Sequence, residues 1–136
     1  MTNKQVQKAG EGNTNPYGKE LILDLHECDS TTFTRESITD YFTELCELID
    51  MEACDLHFWD DVGVPEDEKQ TDPHTTGTSA IQFILTSNIT IHTLDLMGCA
   101  YVNIFSCKEF DATVAQEFTQ TWFRGSVAQS KEVDRI

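Results

Sequence analysis

Apolar and polar positions alternate along parts of the chain and recur at helical steps along others. Leu21, Leu23 and Leu25 alternate around Ile22 and Asp24, a period of two that predicts a strand from near Gly18 to the polar cluster Glu27 to Thr32. Ile38, Tyr41, Phe42, Leu45, Leu48 and Ile49 then recur every three or four residues, predicting an amphipathic helix with Thr34 or Ser37 as its cap. Asp55 to Trp59 reads as a short strand, and Asp60 to Thr76, with Gly63, Pro65, Pro73 and the acids Glu66, Asp67 and Glu68, as a long loop. Three closely spaced strands, Ser79 to Leu85, Ile89 to Leu94 and Ala100 to Ser106, predict an antiparallel meander. Ala115, Phe118 and Trp122 carry a second helix from Asp111 to Phe123, ended by Gly125. The order β, α, β, β, β, β, α predicts an α+β two-layer sandwich, with helices packed on one face of a mainly antiparallel sheet.

The 136 residues suit one domain, read here as spanning 18–124 between a flexible polar arm, 1–17, and a polar C-terminal tail, 125–136. A net charge of -15 would repel phosphate backbones and anionic lipid headgroups, so neither nucleic acid nor a membrane surface is an expected partner. No apolar run approaches the roughly 18 to 20 residues of a membrane span, and the start lacks the apolar centre of a secretory signal, so a cytoplasmic location is expected. Five cysteines, with no Cys-x-x-Cys pair, predict reduced thiols. His26, His57 and His74 form no compact ligand set, and no metal site is expected.

The segment Gly77 to Asp111 carries the chemistry. Its spacing of Ser79, Ser87, His92-Thr93 and Cys107, together with the start Leu21 to Cys28-Asp29, resembles the short prokaryotic class of S-adenosylmethionine decarboxylase. The resemblance implies a self-processing proenzyme that makes a pyruvoyl cofactor from Ser87. The Ser87 hydroxyl attacks the carbonyl of Thr86, an ester forms, and elimination with hydrolysis leaves two chains. His92 matches the histidine that assists processing, and Ser79 the serine that helps hold the intermediate. Cys107 matches the proton donor, and a thiol with an ordinary pKa near ~8.5 keeps its proton at neutral pH. The substrate amine is expected to join the pyruvoyl carbonyl as a Schiff base, which draws off electrons as carbon dioxide leaves. Polyamine synthesis through an aminopropyl donor, a small cationic substrate and a homodimer of processed protomers, with the site at or near their interface, complete the implied picture.

The chain departs from the family pattern in three places. Thr86-Ser87-Asn88 stands where the family has Glu-Ser-His, and Leu94-Asp95-Leu96 where it has Trp-Pro-Glu, whose glutamate binds the ribose. Asp95 is a carboxylate one position early, and in a strand one step turns a side chain to the other face. The long loop is acidic where the family has a shorter, more basic connection, although Phe58 or Trp59 could stack on an adenine. Each residue also has a plain reading: Ser87 as a turn serine, His92 as a hydrogen-bonded core histidine, Cys107 as a small buried hydrophobe, Ser79 as a strand start. Two further functions fit the same features. One is a pyruvoyl-dependent decarboxylase of arginine or ornithine, and the other a non-processing homologue that binds a ligand or regulates.

Overall fold

The computed structural model describes residues 15–136, so the expected arm lies outside the described residues up to position 14. In chain order the elements are β1 (Gly18–His26), α1 (Arg35–Leu48), β2 (Ala53–Trp59), β3 (Gly77–Ile84), β4 (Ser87–Leu94), β5 (Cys99–Ser106), α2 (Ala112–Phe123) and β6 (Ser126–Arg135). The six strands form one sheet in the order β2-β3-β4-β5-β1-β6, and every neighbouring pair is antiparallel. This is the predicted α+β sandwich, with one helical layer.

Alternation fixes which side chains meet the helices. Leu21, Leu23 and Leu25 face Ile104, Val102 and Ala100 across the β1–β5 ladder, and Ile89 and Ile91 face Ile104 and Val102 across β4–β5. All are buried, together with Ile38, Tyr41, Phe42 and Leu45 of α1 and Ala115 and Phe123 of α2. Tyr41 lies at the centre of the helical layer, 4.9 Å from Phe123 and 5.9 Å from Phe118 between ring centroids. Its hydroxyl donates to Thr119 Oγ1 at 2.7 Å, and Thr119 in turn donates to the Ala115 carbonyl, so no polar atom of the pair is left unpaired in the core. Thr34 caps α1 through Ser37 N–H and Asp111 caps α2 through Val114 N–H.

The residue that ends α2 in left-handed backbone is Arg124, at φ 55°, rather than Gly125. Gly125 is required by contact instead. A Cβ there would lie 2.7 Å from Cys28 Sγ and 2.9 Å from the His26 carbonyl.

Residues 126–135, expected to be part of a tail, form the outer strand β6 and pair with β1 from Gly18↔Arg135 to His26↔Ser126. The strand was hidden because it covers almost nothing: nearly all of its side chains are exposed, so no apolar alternation marks it. Its stabilisation comes from the ladder, and its Lys131, Glu132 and Asp134 suit an edge that must not recruit further strands. Deleting residues 126–136 should therefore expose the β1 edge. At about 1 kcal/mol per ladder hydrogen bond lost, the urea midpoint should fall clearly and gel filtration should show concentration-dependent association, whereas loss of a true tail would change neither.

Candidate functional site

Strands β3 and β4 are joined by the two-residue turn Leu85-Thr86. Thr86 sits at φ 60°, a left-handed conformation that costs a β-branched residue about 1–3 kcal/mol. The peptide that follows it is the Thr86–Ser87 bond. Ser87 is buried, and its Oγ accepts a hydrogen bond from Cys107 N–H at 3.1 Å while lying 3.9 Å from Cys107 Sγ. Thr86 Oγ1 lies 2.6 Å from the Leu85 carbonyl and 3.1 Å from the same sulfur, and its single proton can serve either acceptor, passing to the sulfur when that carries charge. Ser87, Thr86 and Cys107 thus form one cluster, because β5 runs antiparallel beside β4 and delivers Cys107 to the turn. A cleft of ≈ 400 Å³ lined by Asp50, Met51, Glu52, Leu85, Thr86, Cys107 and Lys108 opens on it.

Electrostatics single out this thiol. Burial pushes Cys28 and Cys46 up to about 11, the behaviour of inert core thiols. Cys107 moves the other way, pulled below its ordinary value by hydrogen bonds from the Thr86 and Ser87 hydroxyls and, more weakly, from Tyr17. Cys107 thus moves toward the thiolate while the two core thiols move away from it.

Ser79 and His92 form a second cluster. They are direct cross-strand partners, and Ser79 Oγ and His92 Nδ1 share a 2.6 Å hydrogen bond, which fixes the ring and leaves proton exchange to Nε2. Within one chain this pair does not join the first. Ser87 stands in the row with Ile89 and Ile91 that faces the helices, His92 stands in the opposite row, and five strand residues separate them by roughly 17 Å.

The remaining candidates divide between the faces. Trp59, 84% exposed, pairs with Ser79 and so belongs to the open face near His92. Phe58 turns toward the helices, where the Arg35 guanidinium lies 5.5 Å from its ring centroid. Asp95 lies beyond the end of β4 in the turn to β5, its N–H bonded to the Thr76 carbonyl, so strand alternation does not set its direction. In the acidic loop several carboxylates serve the backbone or a cation: Asp60 holds Arg35 at 2.6 Å, Asp61 accepts from Gln70 N–H and Asp72 from His74 N–H. Tyr17, assigned to the arm by its polar neighbours, leads into β1 with its ring stacked on Phe105 of β5, 6.4 Å between centroids. Pairing of β1 with β5 brings it there, and that pairing is not readable from a meander of consecutive strands.

The lowered thiol yields a direct test. Iodoacetamide at neutral pH should label Cys107 well ahead of Cys28 and Cys46, as read by peptide mass spectrometry. As pH falls, the Cys107 rate should persist to lower pH than that of a free thiol, because a depressed pKa keeps the thiolate populated there.

Comparison with known proteins bears on the whole chain. A solved structure of adenosylmethionine decarboxylase from Aquifex aeolicus VF5 superposes with a TM-score of 0.70, covering 90% of this chain and 92% of that one at 18% identity, a likeness of fold. No curated protein sequence matches the chain. Among the described residues no helix is long and apolar enough to cross a membrane. A sequence model of the S-adenosylmethionine decarboxylase family matches residues 19–136, taking in both clusters and β6. The chain belongs to the S-adenosylmethionine decarboxylase family and, with it, to the carboxy-lyases.

Proposed function

We propose that the chain cleaves its own backbone between Thr86 and Ser87 and decarboxylates S-adenosylmethionine in a site that two copies complete together. The observation that carries this reading is the split itself. A strained peptide with its hydroxyl and thiol lies at one end of β4, and a hydrogen-bonded serine and histidine lie at the other, out of reach in the same chain.

Cleavage needs only the chain's own groups, a base and water. Ser87 Oγ adds to the Thr86 carbonyl carbon, the C–N bond breaks and an ester forms. Removal of the α-proton of residue 87 expels Thr86 as a carboxylate, and the dehydroalanine left behind takes up water and loses ammonia. Thr86 at positive φ supports the first step by raising the energy of the intact peptide. An imidazole whose Nδ1 is held by Ser79 suits the second.

A second copy can supply that imidazole. The sheet face away from the helices carries Trp59, Ile81 and Phe83, each at least 38% exposed. Two such faces related by a two-fold axis near Thr90, midway along β4, would bring the Ser87 end of one copy to the His92 end of the other. Apolar area on an otherwise bare face favours this association.

The family is generally pyruvoyl-dependent, and the residues here fit such a group at position 87: a buried serine after a strained peptide, with a thiol beside it. That group would supply a ketone carbonyl able to bond an amine and accept an electron pair as carbon dioxide leaves. Cys107 then delivers a proton to the substrate carbon. Its lowered pKa keeps that proton easily given. The net charge of -15 attracts the sulfonium, and Trp59 offers an aromatic surface to the nucleoside, which a free basic amino acid would not use. Reduced thiols at Cys28, Cys46 and Cys107 fit work in the cytoplasm.

Intact mass of the purified protein should show fragments 1–86 and 87–136, and Ser87→Ala should remain one chain. Co-expression tests the shared site. His92→Ala alone should stay uncleaved, but with Ser87→Ala as its partner it should be cut, because one site of the mixed dimer holds both residues. A mixture that stays intact while wild type is cut would exclude the two-copy site. A wild type that stays intact would instead indicate the non-processing homologue.

A further inference from the structure

We propose that Ser106 is a positioning residue for the cleavage cluster: its hydroxyl turns the chain at the end of β5 so that the Cys107 N–H holds Ser87 Oγ and the thiol stays against the Thr86–Ser87 turn. The inference deepens the reading of that turn as the point of cleavage and rests on it.

Ser106 follows Ala100, Val102 and Ile104 in the row of β5 that faces the helices, and it is 1% exposed. An apolar side chain would fill such a position at lower cost, because a buried hydroxyl has to be bonded. Its bonds go to one residue. Ser106 Oγ donates to the Lys108 carbonyl at 2.8 Å and accepts from the Lys108 N–H at 2.9 Å, and Met51 Sδ, at 3.7 Å, is the weaker acceptor for its one proton. A serine oxygen that accepts from the N–H two residues on closes a tight turn. The hydroxyl is thus spent on the local backbone, and the residue enclosed by that turn is Cys107.

The effect reaches Ser87 through a single peptide. The β4–β5 ladder ends at Asn88↔Phe105, and the next positions along the two strands are Ser87 and Ser106. Beyond that point the Cys107 N–H donates to Ser87 Oγ at 3.1 Å. The carbonyl of the same peptide, that of Ser106, is packed against β1: a Cβ on Gly18 would overlap its oxygen and lie 2.8 Å from Cys107 Cα. Because a peptide unit is planar, the Gly18 contact and the Ser106 turn together fix the direction of the N–H. The turn also carries the Cys107 sulfur to 3.1 Å from Thr86 Oγ1 and 3.9 Å from Ser87 Oγ. Lys108 is a fixed anchor for Ser106, since its Nζ bonds the carbonyl and carboxylate of Asp50 at 2.6 and 2.8 Å. An N–H on Ser87 Oγ holds that oxygen in one place for its addition to the Thr86 carbonyl carbon.

Ser106→Ala removes the hydroxyl and Ser106→Thr keeps it. Followed by intact mass during cell-free synthesis, Ser106→Ala should be cut between Thr86 and Ser87 roughly three- to tenfold more slowly than wild type, the effect expected for one buried hydrogen bond. Ser106→Thr should be cut at close to the wild-type rate. A second readout does not depend on cleavage. In a Ser87→Ala background, adding Ser106→Ala should raise the pH at which iodoacetamide labelling of Cys107 is half-maximal, because the sulfur leaves Thr86 Oγ1. Cys28 and Cys46 should label as before. A Ser106→Ala protein with a lowered urea midpoint but wild-type cleavage, and no labelling shift, would overturn the proposal, since a serine that only stabilises the fold gives that result. A folded Ser106→Thr as slow as the alanine variant would overturn it too. If wild type itself is never cut, the labelling shift would uphold the turn while removing the function built on it, and its absence would remove both.

Discussion

Side chains on a strand alternate between faces, and five is an odd number. Ser87 and His92 lie five residues apart on β4, so one turns toward the helices and the other away, at a separation of roughly 17 Å. No rotamer change brings them together. Each has its helper on the neighbouring strand: Cys107 at the end of β5 for the first, Ser79 on β3 for the second. The chain therefore holds two separate clusters rather than one, and a bare sheet face with exposed aromatic and aliphatic side chains is the proposed means of joining clusters from different copies.

A strongly acidic protein is a poor place to keep a thiolate. The field of a chain with net charge -15 favours a cationic substrate but raises the cost of any further negative charge. At Cys107 this is offset without a paired cation, since Lys108 is committed to Asp50. The surrounding hydroxyls of Thr86, Ser87 and Tyr17 lower the thiol instead. Hydrogen bonds are short-ranged, so they can tune one sulfur while leaving the overall field that draws substrate unchanged. Cys46, buried, and Cys28, half-buried, are pushed by desolvation to about 11.

Strands and helices that cover the core were legible because burial writes a period into the sequence. Leu21-Leu23-Leu25 and the Ile38 to Ile49 stripe are both in the core. β6 buries almost nothing and wrote no period, so its residues read as a tail. Tyr17 was missed for a related reason. Its place depends on β1 pairing with β5 across more than eighty positions, and local pattern carries no information about that pairing. The four residues Ser79, Ser87, His92 and Cys107 were visible through resemblance, but spacing along the chain could not say which of them share a neighbourhood. Strand parity separates Ser87 from His92 only once β4 is known to begin at Ser87 rather than at the expected Ile89.

The two departures beside Ser87 take on definite meaning in this geometry. Asn88 is on the open face, paired with Phe83 on one side and Phe105 on the other, so its exchange changes the sheet surface rather than the helix-facing row of Ser87. Thr86 bears on the very peptide proposed to be cut. A β-branched residue at positive φ is more strained than an unbranched one such as the family's glutamate, and strain in the intact peptide is released when that peptide is broken. Its hydroxyl also contacts the Cys107 sulfur, a contact that the proposed cleavage would end by making Thr86 a free chain end. On the proposed cleavage, Thr86 would favour the cut beforehand and withdraw afterwards, so the exchange of glutamate for threonine is compatible with a working proenzyme.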